Sequence, residues 1–217
     1  MSTWADAAER LRAARLYLVL EGSAASAVAP ALRGGADIVQ LRDKDASDES
    51  ILAAARDLRE MCRAHGALFV VNDRPDLALE CGADAVHLGQ HDAPVEEARA
   101  AVGDRLAIGV STHSVEQIAA AEDSSADYFV VGPVHETPTK PGRPAVGLEP
   151  VRYAASTASK TWFAIGGIDA GNVAEVAAAG ARRVVVVRAI RDADDPESAA
   201  RMLRAALEAE AAVGPAL

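Results

Sequence analysis

Eight short apolar runs, none interrupted by proline and each followed by a longer Ala-rich amphipathic segment, restrict this chain to folds that alternate strand and helix. The runs are Leu16–Leu20, Ile38–Leu41, Leu68–Val71, Ala85–Leu88, Ala107–Val110, Tyr128–Val131, Trp162–Ile165 and Val184–Val187. Their nearly continuous apolar character is that of parallel strands buried on both faces. Helical periodicity falls between them, as at Glu49–His65, Ser114–Ala121, Gly171–Ala179 and Pro196–Ala211. A Gly-Ala-Asp echo precedes four of the runs, at Gly35-Ala36-Asp37, Gly82-Ala83-Asp84, Ser125-Ala126-Asp127 and Gly180-Ala181-Arg182. Glycine there supplies the left-handed residue that ends a helix and returns the chain to the sheet. An open doubly wound sheet also alternates β and α. Eight strands in about 190 residues, with no GxGxxG after the first, favour closure instead. The expected architecture is an α/β fold, a single (β/α)8 TIM barrel spanning residues 1–217, with 1–15 as an N-terminal segment and 212–217 as a loose tail.

Half of the residues are apolar and only 4% aromatic, which predicts a core of small branched side chains. The formal net charge of −10 argues against nucleic acid or an anionic membrane as a bulk partner. An anionic substrate therefore requires a local cationic pocket. Cys62 and Cys81 have no CxxC spacing and read as structural thiols of a reducing compartment. The charged Met1–Arg15 segment lacks the apolar run of a signal peptide, and no stretch approaches the roughly 18 apolar residues of a spanning helix. These features predict a soluble, cytoplasmic protein; whether it forms a homo-oligomer is open, because amphipathic outer helices look alike solvated or paired.

Polar residues cluster where the runs end, and the N-terminal ends carry nothing comparable. The clusters are Gln40-Leu41-Arg42-Asp43-Lys44, Asn72-Asp73-Arg74, His87 through Asp92, Ser111-Thr112-His113, Gly132-Pro133 with Thr137-Pro138-Thr139-Lys140, and Gly166-Gly167-Ile168. In a barrel these ends meet at the one rim where active sites of the fold lie. Arg42, Lys44 and Lys140 are cations with reach, and the chain holds only one other lysine, Lys160. Asp73 and Asp92 follow adjacent strands and can approach each other. Two carboxylates beside several cations suit a diphosphate only with a hard cation between them, since Mg2+ takes one or two carboxylates plus phosphate oxygens. Each residue also has a plainer reading. Asp73 and Asp92 could cap helices, Arg42 and Asp43 could form a surface ion pair, and His87, Ser111 and His113 could be hydrogen-bonded structural residues. Stability alone does not explain so many loaded strand ends at one mouth. Gly166-Gly167, after the seventh strand, marks a monophosphate site, and Thr137–Lys140 a hydroxyl-rich lid.

The ordered series QLRDK, NDR, HLGQ-x-D, GVSTHS, GP…TPTK and AIGGI resembles the thiamine-phosphate synthase family from about Leu16 to Pro196. The resemblance implies that Gln40, Leu41, Arg42, Asp43, Lys44, Asn72, Ser111 and Lys140 hold a pyrimidine diphosphate. It implies Mg2+ on Asp73 and Asp92, and a thiazole phosphate held by Thr137, Pro138, Thr139, Gly167, Val187 and Arg188. In that family the diphosphate leaves first and the thiazole nitrogen captures the resulting pyrimidinylmethyl cation. The likeness therefore implies no covalent nucleophile, and electrostatic roles for Lys140, Arg42 and Lys44. Two departures stand out: Arg188 replaces the usual Ser, and Leu20-Glu21 replaces a common Thr-Asp pair. The rival readings are a thiazole tautomerase, which would lack the paired aspartates, and a non-catalytic sensor of thiazole or thiamine phosphate, which would release no pyrophosphate. A phosphosugar isomerase would need a poised base for which the sequence offers no candidate beyond the two aspartates.

Overall fold

Parallel pairing of the eight runs, each with the next and the first with the last, closes them into a barrel. A computed structural model describes residues 4–137 and 144–213. The strands are β1 Leu16–Leu20, β2 Ile38–Leu41, β3 Leu68–Asn72, β4 Ala85–Leu88, β5 Ala107–Thr112, β6 Tyr128–Val131, β7 Thr161–Ile165 and β8 Val184–Val186. Helices α1 Trp4–Ala13, α2 Val28–Arg33, α3 Asp48–Ala64, α4 Pro75–Cys81 and α5 Val95–Val102 accompany the first half. Helices α6 Val115–Asp123, α7 Glu149–Thr157, α8 Val173–Ala178, α9 Arg188–Arg191 and α10 Pro196–Val213 accompany the second.

The two-residue period of the strands splits the apolar residues into two shells. Tyr17, Val19, Ile38, Leu68, Val70, Tyr128, Val130, Phe163 and Val185 point inward and fill the barrel, where Ala7 and Leu11 of α1 join them. Leu18, Leu20, Val39, Leu41, Phe69, Val71, Phe129 and Val131 point outward and pack against the helices. Helix starts follow local chemistry. Ser47 caps α3 by accepting from the Ser50 amide at 3.2 Å, and Pro75 opens α4, whose end is turned by Gly82 at φ 67°.

The aspartates of the Gly-Ala-Asp echo correct the expectation that strand N-terminal ends carry nothing of note. Asp37 accepts from the Arg15 and Leu16 amides at 2.7 and 3.0 Å, Asp84 from Phe69 at 2.8 Å, and Asp127 from Ile108 at 2.7 Å. Each carboxylate thus satisfies an amide at the entry of a neighbouring strand, a place where an unpaired donor would be costly. These groups hold the lower rim together and leave the upper rim free for chemistry.

Candidate active site

The polar C-terminal ends converge on a cavity of about 320 Å³ lined by residues of all eight strands or the loops that follow them, among them Gln40, Arg42, Lys44, Asn72, Asp73, His87, Asp92 and Ser111. A second lobe of about 320 Å³ opens beside it, lined by Pro133, Thr137, Gly166, Gly167, Val187, Arg188 and Asp192. The lobes share Ser111, His113, Val130, Ile165, Val185 and Val187 as a common floor.

In the first lobe Lys44 Nζ lies 2.6 Å from Asp73 Oδ2 and 3.8 Å from Asp92 Oδ1, so one ammonium touches both carboxylates. Asp73 is the one non-glycine residue at positive φ (62°) among the described residues. Backbone held there is strained, and such strain collects at functional sites. Neither aspartate caps a helix: Arg74 and Pro94 hold those positions, and Asp92 instead accepts from the Gly89 amide at 2.7 Å. Burial and a hydrogen bond shared with Asp92 raise the Asp73 carboxyl above its ordinary range. Burial alone would raise Asp92 too, but the bonds to Asp73 and the Gly89 amide, with the Lys44 charge, hold it below. The pair therefore keeps one shared proton longer than two separate aspartates would. Arg74 pairs with both Asp48 and Asp76, tying the starts of α3 and α4 together beside the loop that carries Lys44. Arg42 has no ion pair with Asp43 or any other carboxylate among the described residues, so the surface-pair reading does not apply.

Two tyrosines that the sequence did not single out, Tyr17 and Tyr128, lie beneath the expected residues of the first lobe. Tyr17 and Tyr128 are fully buried, with hydroxyls 3.3 Å apart, and Gln40 donates its amide to the Tyr17 hydroxyl. Burial drives both phenols well above their usual range, so they stay neutral donors and acceptors. His87 Nε2 lies 2.9 Å from Ser111 Oγ, and Gln90 donates to the Ser111 carbonyl at 2.6 Å. The only sequence signal was tyrosine inside an apolar run, in a chain with three tyrosines.

The expected residues do not all gather. Leu41 faces the helix layer, and it shares with Asp43 a separate cleft under α3 that also reaches Lys44, Asn72 and Asp73. Pro138, Thr139 and Lys140 lie outside the described residues. In the second lobe, the amides of Gly167, Arg188 and Ala189 donate to no acceptor among the described residues. Asn172 fixes the glycine turn by donating to the Gly167 carbonyl at 2.7 Å. Amides after the seventh and eighth strands, at the start of a short extra helix, stand where this fold commonly receives a phosphate. Arg191 secures that helix by a double contact with Glu21, at 3.0 and 2.9 Å, so the departure at position 21 is answered within the chain.

One lobe sets carboxylates beside cations, the other carries backbone amides without acceptors among the described residues, and both open on one floor. That division defines a (β/α)8-barrel enzyme acting on small molecules. Residues 16–190 match the thiamine monophosphate synthase family, and the chain belongs to it. It is 54% identical to the thiamine-phosphate synthase of Thermobifida fusca over 94% of this chain and 97% of that one. With the thiamine-phosphate synthase of Acidothermus cellulolyticus it shares 53% identity over 91% and 97%. The solved thiamine phosphate pyrophosphorylase of Pyrococcus furiosus superposes with a TM-score of 0.85 at 33% identity, over 92% of this chain and 98% of that one.

Proposed function

We propose that the chain condenses 4-amino-2-methyl-5-(diphosphooxymethyl)pyrimidine with thiazole phosphate, or its 2-carboxylate, to give thiamine phosphate and pyrophosphate with Mg2+. The observation that carries this reading is the pair of lobes on a shared floor, one suited to a diphosphate and the other to a monophosphate. The donor set fits the metal. Among the described residues no group of three or more His, Cys, Asp or Glu gathers, but Mg2+ asks for only one or two carboxylates when substrate oxygens and water complete its shell. Asp73 and Asp92 would hold it, and when bound it supplies positive charge to the departing diphosphate.

The remaining work falls to the chain. Gln40, set by Tyr17, and Asn72 and Ser111 orient the pyrimidine, and Arg42 and Lys44 attract its diphosphate. Lys140 is assigned the same electrostatic role by sequence alone. Thr137, Gly167, Val187 and Arg188 line the neighbouring lobe and would present the thiazole nitrogen from there, and Thr139 is assigned to the same phosphate by sequence alone. Diphosphate loss before bond formation needs no nucleophile from the protein, and Val130, Ile165, Val185 and Val187 on the shared floor would limit water beside the cation it leaves. The tautomerase reading is disfavoured by the Asp73–Lys44–Asp92 cluster, which an isomerisation does not use. A cytoplasmic setting fits the two free thiols, of which Cys62 is buried and pushed up to about 12, out of reach of ordinary oxidation.

Mixed with both substrates and Mg2+, the protein should release pyrophosphate and thiamine phosphate in equal amounts, followed by chromatography and a coupled phosphate assay. Ligand-dependent thermal shifts with no pyrophosphate would make it a sensor, and full turnover in excess chelator would remove the metal.

Arg188 separates the two substrates. Its side chain is exposed at the mouth of the second lobe, where it can add a charge-assisted contact to the amide cradle. Arg188→Ala should raise KM for the thiazole phosphate about tenfold and leave KM for the pyrimidine within about twofold. Equal effects on both would dismiss a phosphate role for this side chain.

A further inference from the structure

We propose that Lys44 competes with a divalent cation for Asp73 and Asp92, so that a metal is seated firmly only once a diphosphate draws the ammonium away. This rests on the assignment of the metal to those aspartates. The Lys44 ammonium already occupies the oxygens in question, at 2.6 Å from Asp73 and 3.8 Å from Asp92. A hard cation needs such oxygens at about 2.0–2.1 Å and repels an ammonium beside it, so the two contacts exclude one another. Lys44 can leave: its side chain is 49% exposed on a flexible four-carbon stem, and the diphosphate offers it new oxygens in the same lobe. Arg42 is different. It lines the lobe but pairs with no carboxylate among the described residues, so it can receive the diphosphate without disturbing the metal seat. The expected consequence is reciprocal coupling: the Lys44 contact weakens cation binding in the free protein, and the diphosphate restores it.

Mn2+ alone, titrated into the full chain and followed by electron paramagnetic resonance, tests this without turnover. Lys44→Gln should tighten Mn2+ binding about tenfold, within the range of ordinary coupling energies. Arg42→Gln, which removes the same charge from the same lobe without touching either carboxylate, should change it by less than about twofold. Unchanged or weaker binding in Lys44→Gln, or equal tightening in both variants, overturns the competition. The double variant Lys44→Gln/Asp92→Asn separates the two claims. Loss of the tightened site places it on the carboxylates and supports the competition, whereas its survival shows that the metal assignment itself has failed.

Discussion

Asp92→Asn should lower kcat by about 100-fold or more while leaving the thermal midpoint within a few degrees, because it removes a charge and almost nothing else. The asparagine oxygen can still accept from the Gly89 amide, the 2.7 Å bond that fixes this loop. The approach is close enough that a side chain on Gly89 would meet Asp92 Oδ2 at 2.6 Å, so the loop geometry and the carboxylate are set together. What is lost is the low-lying carboxylate of a pair that shares Lys44. With Asp92 neutral, its hydrogen bond and negative charge no longer hold up the Asp73 carboxyl, which falls back toward the ordinary range. On the proposed reading, one carboxylate rather than two would then be left to hold the metal against the diphosphate. Steady-state kinetics at saturating substrates, beside a melting curve, decide it. An unchanged rate would reduce Asp92 to a loop anchor, and a large loss of midpoint would assign the effect to folding.

The barrel was readable because burial on both faces leaves eight apolar runs in too short a chain for an open sheet to be favoured, and the rim because polar residues crowd the C-terminal ends of those runs. The boundaries that moved did so where polar groups are satisfied inside the sheet. β5 continues through Ser111 and Thr112, which the sequence suggests as loop, because Thr112 donates to the Val130 carbonyl and Ser111 meets His87. β8 ends one residue early because Val187 turns out of the strand to begin the short helix Arg188–Arg191. The helix expected from Gly171 begins at Val173, since Asp169 and Asn172 take the intervening amides into a turn. Tyr17 and Tyr128 were hidden because hydropathy counts a tyrosine in a strand as apolar and says nothing of where its hydroxyl points. The aspartates of the lower rim were missed for a related reason. They precede the runs, where a carboxylate reads as solvated, and only the register shows it reaching a neighbouring amide.

Gly109→Ala should destabilise the barrel by about 3–5 kcal/mol, the sum of an overpacked core and a broken buried network. Gly109 pairs in register with His87 on one side and Tyr128 on the other, and the Tyr128 ring crosses directly over it. A methyl group there would lie 2.1 Å from the ring's Cζ and 2.5 Å from Cε1 and Cε2. The ring has nowhere to go. It is fully buried, packed edge-on to Phe163 at 6.0 Å between centroids, and its hydroxyl meets that of Tyr17. Shifting it also unsettles Gln40, whose amide depends on Tyr17, so on the proposed reading stability and pyrimidine binding should fall together. For a chain of this size the thermal midpoint should drop by roughly 10 °C. Tyr128→Leu, which removes the ring, should recover part of the loss, so that the double variant is destabilised by less than the two single changes added together. Strict additivity across that cycle would show that the steric demand of Tyr128 is not what keeps position 109 without a side chain.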